Sequence, residues 1–246
     1  MFAHTACRPP RTKTRWLAGV RAAALGVLAL VGVAGASGGA RAADDAPMAV
    51  VAGFHDALMS AMKNARALGS QGRFAQLEPV MMRAFDMPGM TENAAGGAWS
   101  RLTAAQREKL IAAFARFEIA QYADWFDGYS NQSFGSGGVR AFANGAVVAT
   151  TMTTDAGRRQ IRFDYNLHQV GGGWKIIDVV FNGWFSEVNR RRAEFVEVLE
   201  RQGFDTLIAR LETGAQAALA RPDNVNAPHV IDPRPEMWRI PFGFTG

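Results

Sequence analysis

The chain has 246 residues, 48% of them hydrophobic, and a formal net charge of +5. An apolar fraction of this size is typical of a globular protein and excludes a disordered one. The positive charge is concentrated in residues 1–42, which hold six of the 27 basic residues and no acidic one. The rest of the chain has 21 basic and 22 acidic residues. A basic nucleic-acid-binding surface is therefore excluded beyond residue 42.

The first 42 residues have the pattern of a cleaved secretion signal. A basic stretch ends at Arg15, an apolar run covers residues 22–36, and Ala40-Arg41-Ala42 supplies small residues where a signal peptidase reads them. The run is too short for a comfortable membrane span of about 20 residues. We expect export to the periplasm with cleavage near Ala42, the alternative being an uncleaved anchor. Because Cys7 lies inside this leader, the mature protein would have no disulfide and no thiol nucleophile.

Apolar residues at helical spacing predict helices over residues 46–68 and 74–85, a short helix around 90–99, and one from Thr103 to about residue 127. Gly69–Gly72 and Pro88-Gly89 are predicted to end the first two. Thr103 and Gln106 have the spacing of a capping box, in which each residue bonds the backbone amide of the other.

The following region reads as strands separated by turns. We predict four strands over residues 133–143, 146–154, 159–170 and 174–181, with reversals at Asn144-Gly145, 155–157 and 171–173. Two helices, 187–202 and 206–220, would follow, separated by a left-handed cap at Gly203. Residues 43–221 therefore form one α+β domain, with a proline-rich, extended tail over 222–246.

Few residues have the spacing that catalysis or metal binding needs. Beyond the leader the sequence keeps three histidines, His55, His168 and His229, with no pair at metal-ligand spacing, so we expect neither a metal nor a cofactor. The best enzymatic candidate is His168 with Asp164 on the same strand or Asp178 across a hairpin. A solvated polar strand face is the plainer interpretation of the same residues.

Large apolar side chains are abundant on the predicted helix 103–127 and on one face of the strand 159–170. The first helices also carry a cluster of methionines (Met48, Met59, Met62, Met81, Met82, Met87, Met90), a residue that adapts to irregular apolar surfaces. Composition does not distinguish a filled core from a pocket that holds lipid. Arg190, Arg191 and Arg192 form the one basic cluster; they fit a solvated helix face paired with nearby glutamates, or a docking or head-group-binding patch.

Four segments together resemble the MlaC (toluene-tolerance) family of periplasmic lipid-binding proteins. They are 102–108 followed by Phe114, Phe117 and Tyr122; Gly173-Trp-Lys-Ile-Ile-Asp-Val179; Asn182-Gly183 with Ser186 and 191–195; and 203–211. The resemblance covers about residues 50–211. Phe185-Ser186-Glu187, with Arg191-Arg192 before Glu194-Phe195, is closer to the hopanoid-associated branch called HpnM.

The resemblance implies an NTF2-like, curved antiparallel sheet whose helices enclose an apolar cavity. It also implies a carrier, not an enzyme, that moves a phospholipid or hopanoid between an inner-membrane ABC transporter and an outer-membrane lipoprotein or porin complex. The residues we expect to line the cavity are Phe114, Phe117, Phe126, Met152, Ile161, Phe163, Tyr165 and Leu167. The alternatives are an NTF2-like dehydratase or isomerase and a non-catalytic envelope adaptor with a solid core.

Overall fold

The computed structural model describes residues 38–154 and 159–222, with side chains from residue 46 onward. Most of the predicted leader, the reversal at 155–157 and the predicted tail from residue 223 lie outside the described residues. The expected cleavage position near Ala42 falls in the first turns of helix α1 (Gly38–Lys63). Within the described ranges, no helix combines the length and apolar character needed to cross a membrane.

The first helical segment ends earlier than the sequence pattern predicts. Helix α1 stops at Lys63, and helix α2 (Ala65–Ala84) is interrupted at Gly69, where φ is 60° and ψ is −179°. This backbone conformation suits glycine, which has no Cβ to clash. The predicted glycine break is confirmed, but the unbroken helix through residue 68 is not.

Helix α3 (Met87–Ala95) begins at the Pro88-Gly89 pair that we expected only to end its predecessor. Asp86 caps this helix by accepting a hydrogen bond from the Gly89 amide at 3.1 Å. Proline is favourable in the first turn because its missing amide hydrogen would have no partner inside the helix. The same pair therefore starts α3 instead of only stopping α2.

Helix α4 (Ala104–Trp125) is the central element of the helical layer. Its capping box forms as predicted: the Gln106 amide donates to Thr103 Oγ1 at 3.2 Å, and the Thr103 amide donates to Gln106 Oε1 at 2.9 Å. Residues 117–126 are all buried, so the second half of α4 is enclosed on every side. A short 3₁₀ turn, Gly96–Arg101, connects α3 to it.

The sheet is an antiparallel meander of five strands in the order β1 to β5. Its strands are β1 (Ser133–Phe142), β2 (Gly145–Thr154), β3 (Arg159–Val170), β4 (Gly173–Phe181) and β5 (Phe185–Ser186). The prediction of four strands is wrong because it omits β5, which pairs with the end of β4. Two residues are too few to give a periodic signal, so the sequence pattern could not reveal this strand.

The first hairpin is confirmed, but its turn lies one residue earlier than predicted. Phe142 pairs with Gly145, which leaves Ala143 and Asn144 as the turn. Neither Asn144 nor Gly145 has a positive φ. Gly145 is required for another reason: a Cβ there would lie 2.5 Å from the Leu167 carbonyl oxygen and 2.8 Å from the Phe142 ring. Close approach, not backbone handedness, explains this glycine.

One face of the sheet forms half of the core. Alternate residues of β2 are buried, and Val148, Thr150 and Met152 lie opposite Tyr165, Phe163 and Ile161 of β3. Helices α5 (Glu187–Arg201) and α6 (Phe204–Ala220) complete the helical layer, separated at Gly203, whose φ of 90° confirms the predicted left-handed position. The described core is continuous from this sheet face into the helices.

Candidate functional site

A cleft of about 340 Å³ lies between helix α1 and the beginning of strand β1. Its lining residues are Met48, Val51, Ala52, His55, Asp56, Met59, Ser133, Phe134, Gly135, Ser136 and Thr150. The volume is at the lower end of the roughly 300–1,000 Å³ typical of small-molecule sites. The cleft is therefore a site for one slender group, not the large hollow that a whole two-chain lipid requires.

Helical and strand periodicity bring these residues together. The α1 residues recur at steps of three and four, which places them on one helix face. On the sheet side, Phe134 and Ser136 lie opposite Met152 and Thr150 of β2. The wall is mainly apolar because it combines two methionines, a valine and the Phe134 ring.

Among the described side chains of α1, His55 is the buried polar one that faces this cleft. It is 7% exposed, its Nε2 lies 2.9 Å from the Tyr165 hydroxyl, and its ring stacks on Phe134 with centroids 3.9 Å apart and planes 14° from parallel. Burial lowers the pKa of His55 to about 4, because a charged imidazolium loses its hydration there. His55 is accordingly neutral at physiological pH.

The charges around the cleft are sparse. Asp56, which is exposed, is the one residue with a formal charge among those that line it. The Thr150 hydroxyl donates to the Phe163 carbonyl at 3.3 Å, and the Ser136 hydroxyl lies 3.8 Å from Met48 Sδ. The described lining residues include no lysine or arginine, so this part of the lining offers no cation to an anionic group.

The eight residues expected to line a lipid cavity are all buried at 2% exposure or less and belong to the continuous core. None of them is among the residues that line the cleft. Two of them contact lining residues: Tyr165 bonds His55, and Phe163 makes edge contact with Phe134 at 6.2 Å between centroids. The structure therefore brings them together, but packed against one another and their neighbours.

The three arginines, interpreted from the sequence as a solvated helix face or as a docking or head-group patch, have different environments. Arg191 is fully buried: Nε donates to Glu118 at 2.6 Å, Nη2 lies 2.9 Å from Glu187, and the guanidinium covers the Phe117 ring at 4.5 Å. Arg190 is largely buried between Glu187 and Glu194. Arg191 therefore belongs neither to a solvated face nor to a surface patch, whereas Arg192 is exposed.

This ion network has three carboxylates and two guanidiniums in the interior of the helical layer. Burial raises the pKa of Glu118 to about 7, although the adjacent Arg191 acts in the opposite direction. For Glu187, the attraction of Arg190 and Arg191 outweighs burial and lowers the pKa. Most of these bonds lie within α5, and the bond from Arg191 to Glu118 is the one in the network that connects α5 to α4.

The residues of the enzymatic alternative do not form one arrangement. His168 Nε2 lies 2.9 Å from Asp86, while Asp164 pairs with Arg162 at 2.9 Å. Asp178 accepts hydrogen bonds from the Ser186 hydroxyl at 2.7 Å and the Val188 amide at 3.0 Å, at the start of α5. Each side chain has its own structural partner, and none lines the cleft. Among the described residues, no group of three or more His, Cys, Asp or Glu side chains could hold a metal ion.

Sequence reasoning missed His55 as a site residue because it considered the histidines only as metal ligands or bases. The available signal was its position on the same helix face as Met48 and Met59, two members of the methionine cluster. Phe134 and Ser136 could not be found this way. Their strand is rich in glycine, and residues 133 and 135–138 are exposed, so no alternation marks a pocket wall.

The fold is thus that of an α+β protein with an apolar cleft between its first helix and its sheet. The model of the family described as MlaC protein matches residues 53–213, and the chain belongs to that family. A solved structure of a phospholipid-binding protein from Ralstonia solanacearum, in complex with a phospholipid, has a similar fold with a TM-score of 0.61. The two chains are 24% identical, over 70% of this chain and 98% of that one. No curated protein matches the chain.

Proposed function

We propose that the protein is a periplasmic lipid carrier, exported with a leader that is cleaved near Ala42. Its membership of the MlaC family is the observation that carries the proposal. The apolar cleft beside α1 and the similarity in fold to a phospholipid-binding protein support it. Shuttling between an inner-membrane ABC transporter and an outer-membrane complex, an NTF2-like enclosure and a hopanoid ligand of the HpnM branch are the finer parts of this proposal.

The physical need for such a carrier follows from the cost of exposing hydrocarbon. Each methylene removed from water contributes about 0.8 kcal/mol, so one long acyl chain crosses an aqueous gap against roughly 10 kcal/mol. A protein that covers the chain removes this barrier without any covalent step. The polar head group can stay in water, where it needs few contacts.

A whole lipid is larger than the 340 Å³ cleft, so binding requires the core beside it to open. The cleft is where opening starts, because its floor residue His55 touches both Tyr165 and Phe134. The eight buried residues of α4, β2 and β3 then become the lining that surrounds the hydrocarbon. Their contacts with one another in the empty protein are replaced by contacts with the ligand.

Lipid extraction from protein purified from cells, followed by mass spectrometry, tests this function. We expect close to one lipid per protein. Ala52→Trp should block the cleft and abolish uptake of a labelled phospholipid, because Ala52 is exposed on the cleft wall. Gly53→Trp is the matched control, since a Cβ at this neighbouring position meets nothing within 4 Å and it does not line the cleft. Protein that carries no lipid and takes none up would refute the proposal.

The packed interior favours a second candidate, an envelope adaptor that binds proteins and no lipid. Both candidates predict a stable, folded chain, but only the carrier predicts that Ala52→Trp and Gly53→Trp differ in lipid uptake. Equal and negligible uptake by the parent protein and both variants would favour the adaptor.

A further inference from the structure

We propose that His55 presents one N–H donor to the cleft and that this donor binds an uncharged acceptor oxygen of the ligand, the ester carbonyl of an acyl chain. The inference rests on the proposed lipid-carrier function and names the part of the lipid that the cleft recognises.

The hydrogen bond with Tyr165 determines which nitrogen of the His55 ring carries the proton. The Tyr165 side chain is 1% exposed, and within the described chain His55 Nε2 is the hydrogen-bond partner of its hydroxyl, at 2.9 Å. A buried hydroxyl without an acceptor costs about 1–3 kcal/mol, so the Tyr165 O–H donates to Nε2. Because a neutral imidazole carries one proton, that proton is on Nδ1.

The Nδ1–H group has no acceptor among the described residues, while the ring itself lines the cleft. Stacking on Phe134 at 3.9 Å holds the ring in a fixed orientation. The cleft therefore contains a pre-oriented donor that needs an oxygen from a ligand or from water.

The residues that line the cleft determine which kind of ligand oxygen can accept the hydrogen bond from His55. A phosphate in the cleft would lie near the Asp56 carboxylate and would find no cation among the described lining residues, so an anionic group is disfavoured. The methionines, Val51 and Phe134 instead suit the hydrocarbon that begins next to an ester. An ester carbonyl is uncharged, accepts a hydrogen bond and is attached to an apolar chain, whereas the phosphate remains outside in water.

Binding of matched diester and diether phospholipids to the purified protein tests this inference. An ether linkage keeps the chains and the head group but lacks the carbonyl. We expect the parent protein to bind the diester about 5- to 10-fold more tightly, the value of one buried hydrogen bond. His55→Phe keeps a ring against Phe134 and should bind both lipids with the diether affinity. His55→Asn, which keeps an N–H near the δ position, should retain part of the preference.

A second measurement does not depend on the variants. In ¹⁵N-labelled parent protein, NMR should show His55 protonated on Nδ1, with a shift of this nitrogen on addition of the diester but not the diether. Equal affinities for the two lipids, a preference that survives in His55→Phe, or a proton on Nε2 would overturn the inference while leaving the carrier function intact. Failure to bind either lipid would instead overturn the carrier function itself.

Discussion

Two of the buried polar groups of this protein, the ion network around Arg191 and the His55–Tyr165 pair, differ in what encloses them. The network of Arg190, Arg191 and three glutamates places ionisable side chains in the helical layer, and Arg191 has no solvent exposure at all. The His55–Tyr165 pair is neutral, and its histidine borders an open cleft. Both are costly to bury, but only the second has a side from which a ligand can reach it.

Comparing the ion network with the His55–Tyr165 pair distinguishes buried polar groups that stabilise the fold from those that can bind a ligand. The buried Arg191–Glu118 pair joins α5 to α4, and removing one of its members leaves the other unpaired in the interior. A neutral donor with one satisfied and one unsatisfied nitrogen contributes less to packing and remains available. The arginine cluster is conspicuous in the sequence, whereas the lone histidine is the better candidate for contact with a ligand.

The largest expected effect comes from breaking the ion network. Arg191→Met leaves Glu118 without its guanidinium partner and should lower the free energy of unfolding by about 3–5 kcal/mol. Arg192→Met, at the next and exposed position, should change it by less than about 0.5 kcal/mol. Urea denaturation of both variants measures this difference. Similar stabilities would mean that the network does not hold the helices together.

A smaller effect concerns pH, where the two groups act in opposite directions. The unfolded chain binds a proton at His55 near pH 6.5 and the folded protein only near 4, so His55 lowers stability as the pH falls through this window. Glu118 has a pKa of about 7 in the folded protein and of about 4.5 in the unfolded chain, so it lowers stability as the pH rises from 4.5 to 7.

Denaturation at pH 5.0 and 7.5 should therefore separate the two. The free energy of unfolding of the parent protein should fall between pH 7.5 and pH 5.0 because His55 takes up a proton on unfolding. His55→Phe lacks this group, so its free energy of unfolding should fall by about 1–2 kcal/mol less over the same range. Glu118→Gln should shift this difference the opposite way by a similar amount. Parallel pH profiles for both variants and the parent would contradict the assigned pKa directions.

The smallest effect is expected at the aromatic stack beside the cleft. Phe134→Leu removes the ring that covers His55, and such ring pairs contribute about 0.5–1.5 kcal/mol beyond their buried area. We expect a loss of about 1 kcal/mol in urea denaturation and a weaker preference for ester over ether lipids, because the histidine ring is less firmly oriented. A preference as strong as in the parent would show that the stack does not position His55.

Much of the fold could be predicted because its elements are long and periodic. The alternation of Ile161, Phe163, Tyr165 and Leu167 predicts β3 with both ends correct, and Thr103 with Gln106 predicts the start of α4. Local rules were insufficient where one residue serves two purposes. Pro88 stops one helix and begins the next, and Gly145 is needed for its proximity to Leu167 across the sheet.

The site was harder to predict because it depends on contacts between distant segments. His55 and Tyr165 are 110 residues apart in the sequence, and no local pattern around either residue predicts their contact. The environment of Arg191 was equally inaccessible, since its partner Glu118 is on a different helix. Resemblance to the family predicted which residues are apolar and interior, but not which of them border an opening.

The interruption in strand β1 between Ser136 and Gly138 has a consequence for how copies of this protein behave in a crowded compartment. Among the described strands β1 is at the end of the sheet and pairs with β2, so its other edge has no strand partner there and could template a foreign strand. The bulge at Ser136–Gly138 breaks that row into two short pieces with different twist. It therefore protects the strand beside the cleft against edge-to-edge aggregation without covering the opening.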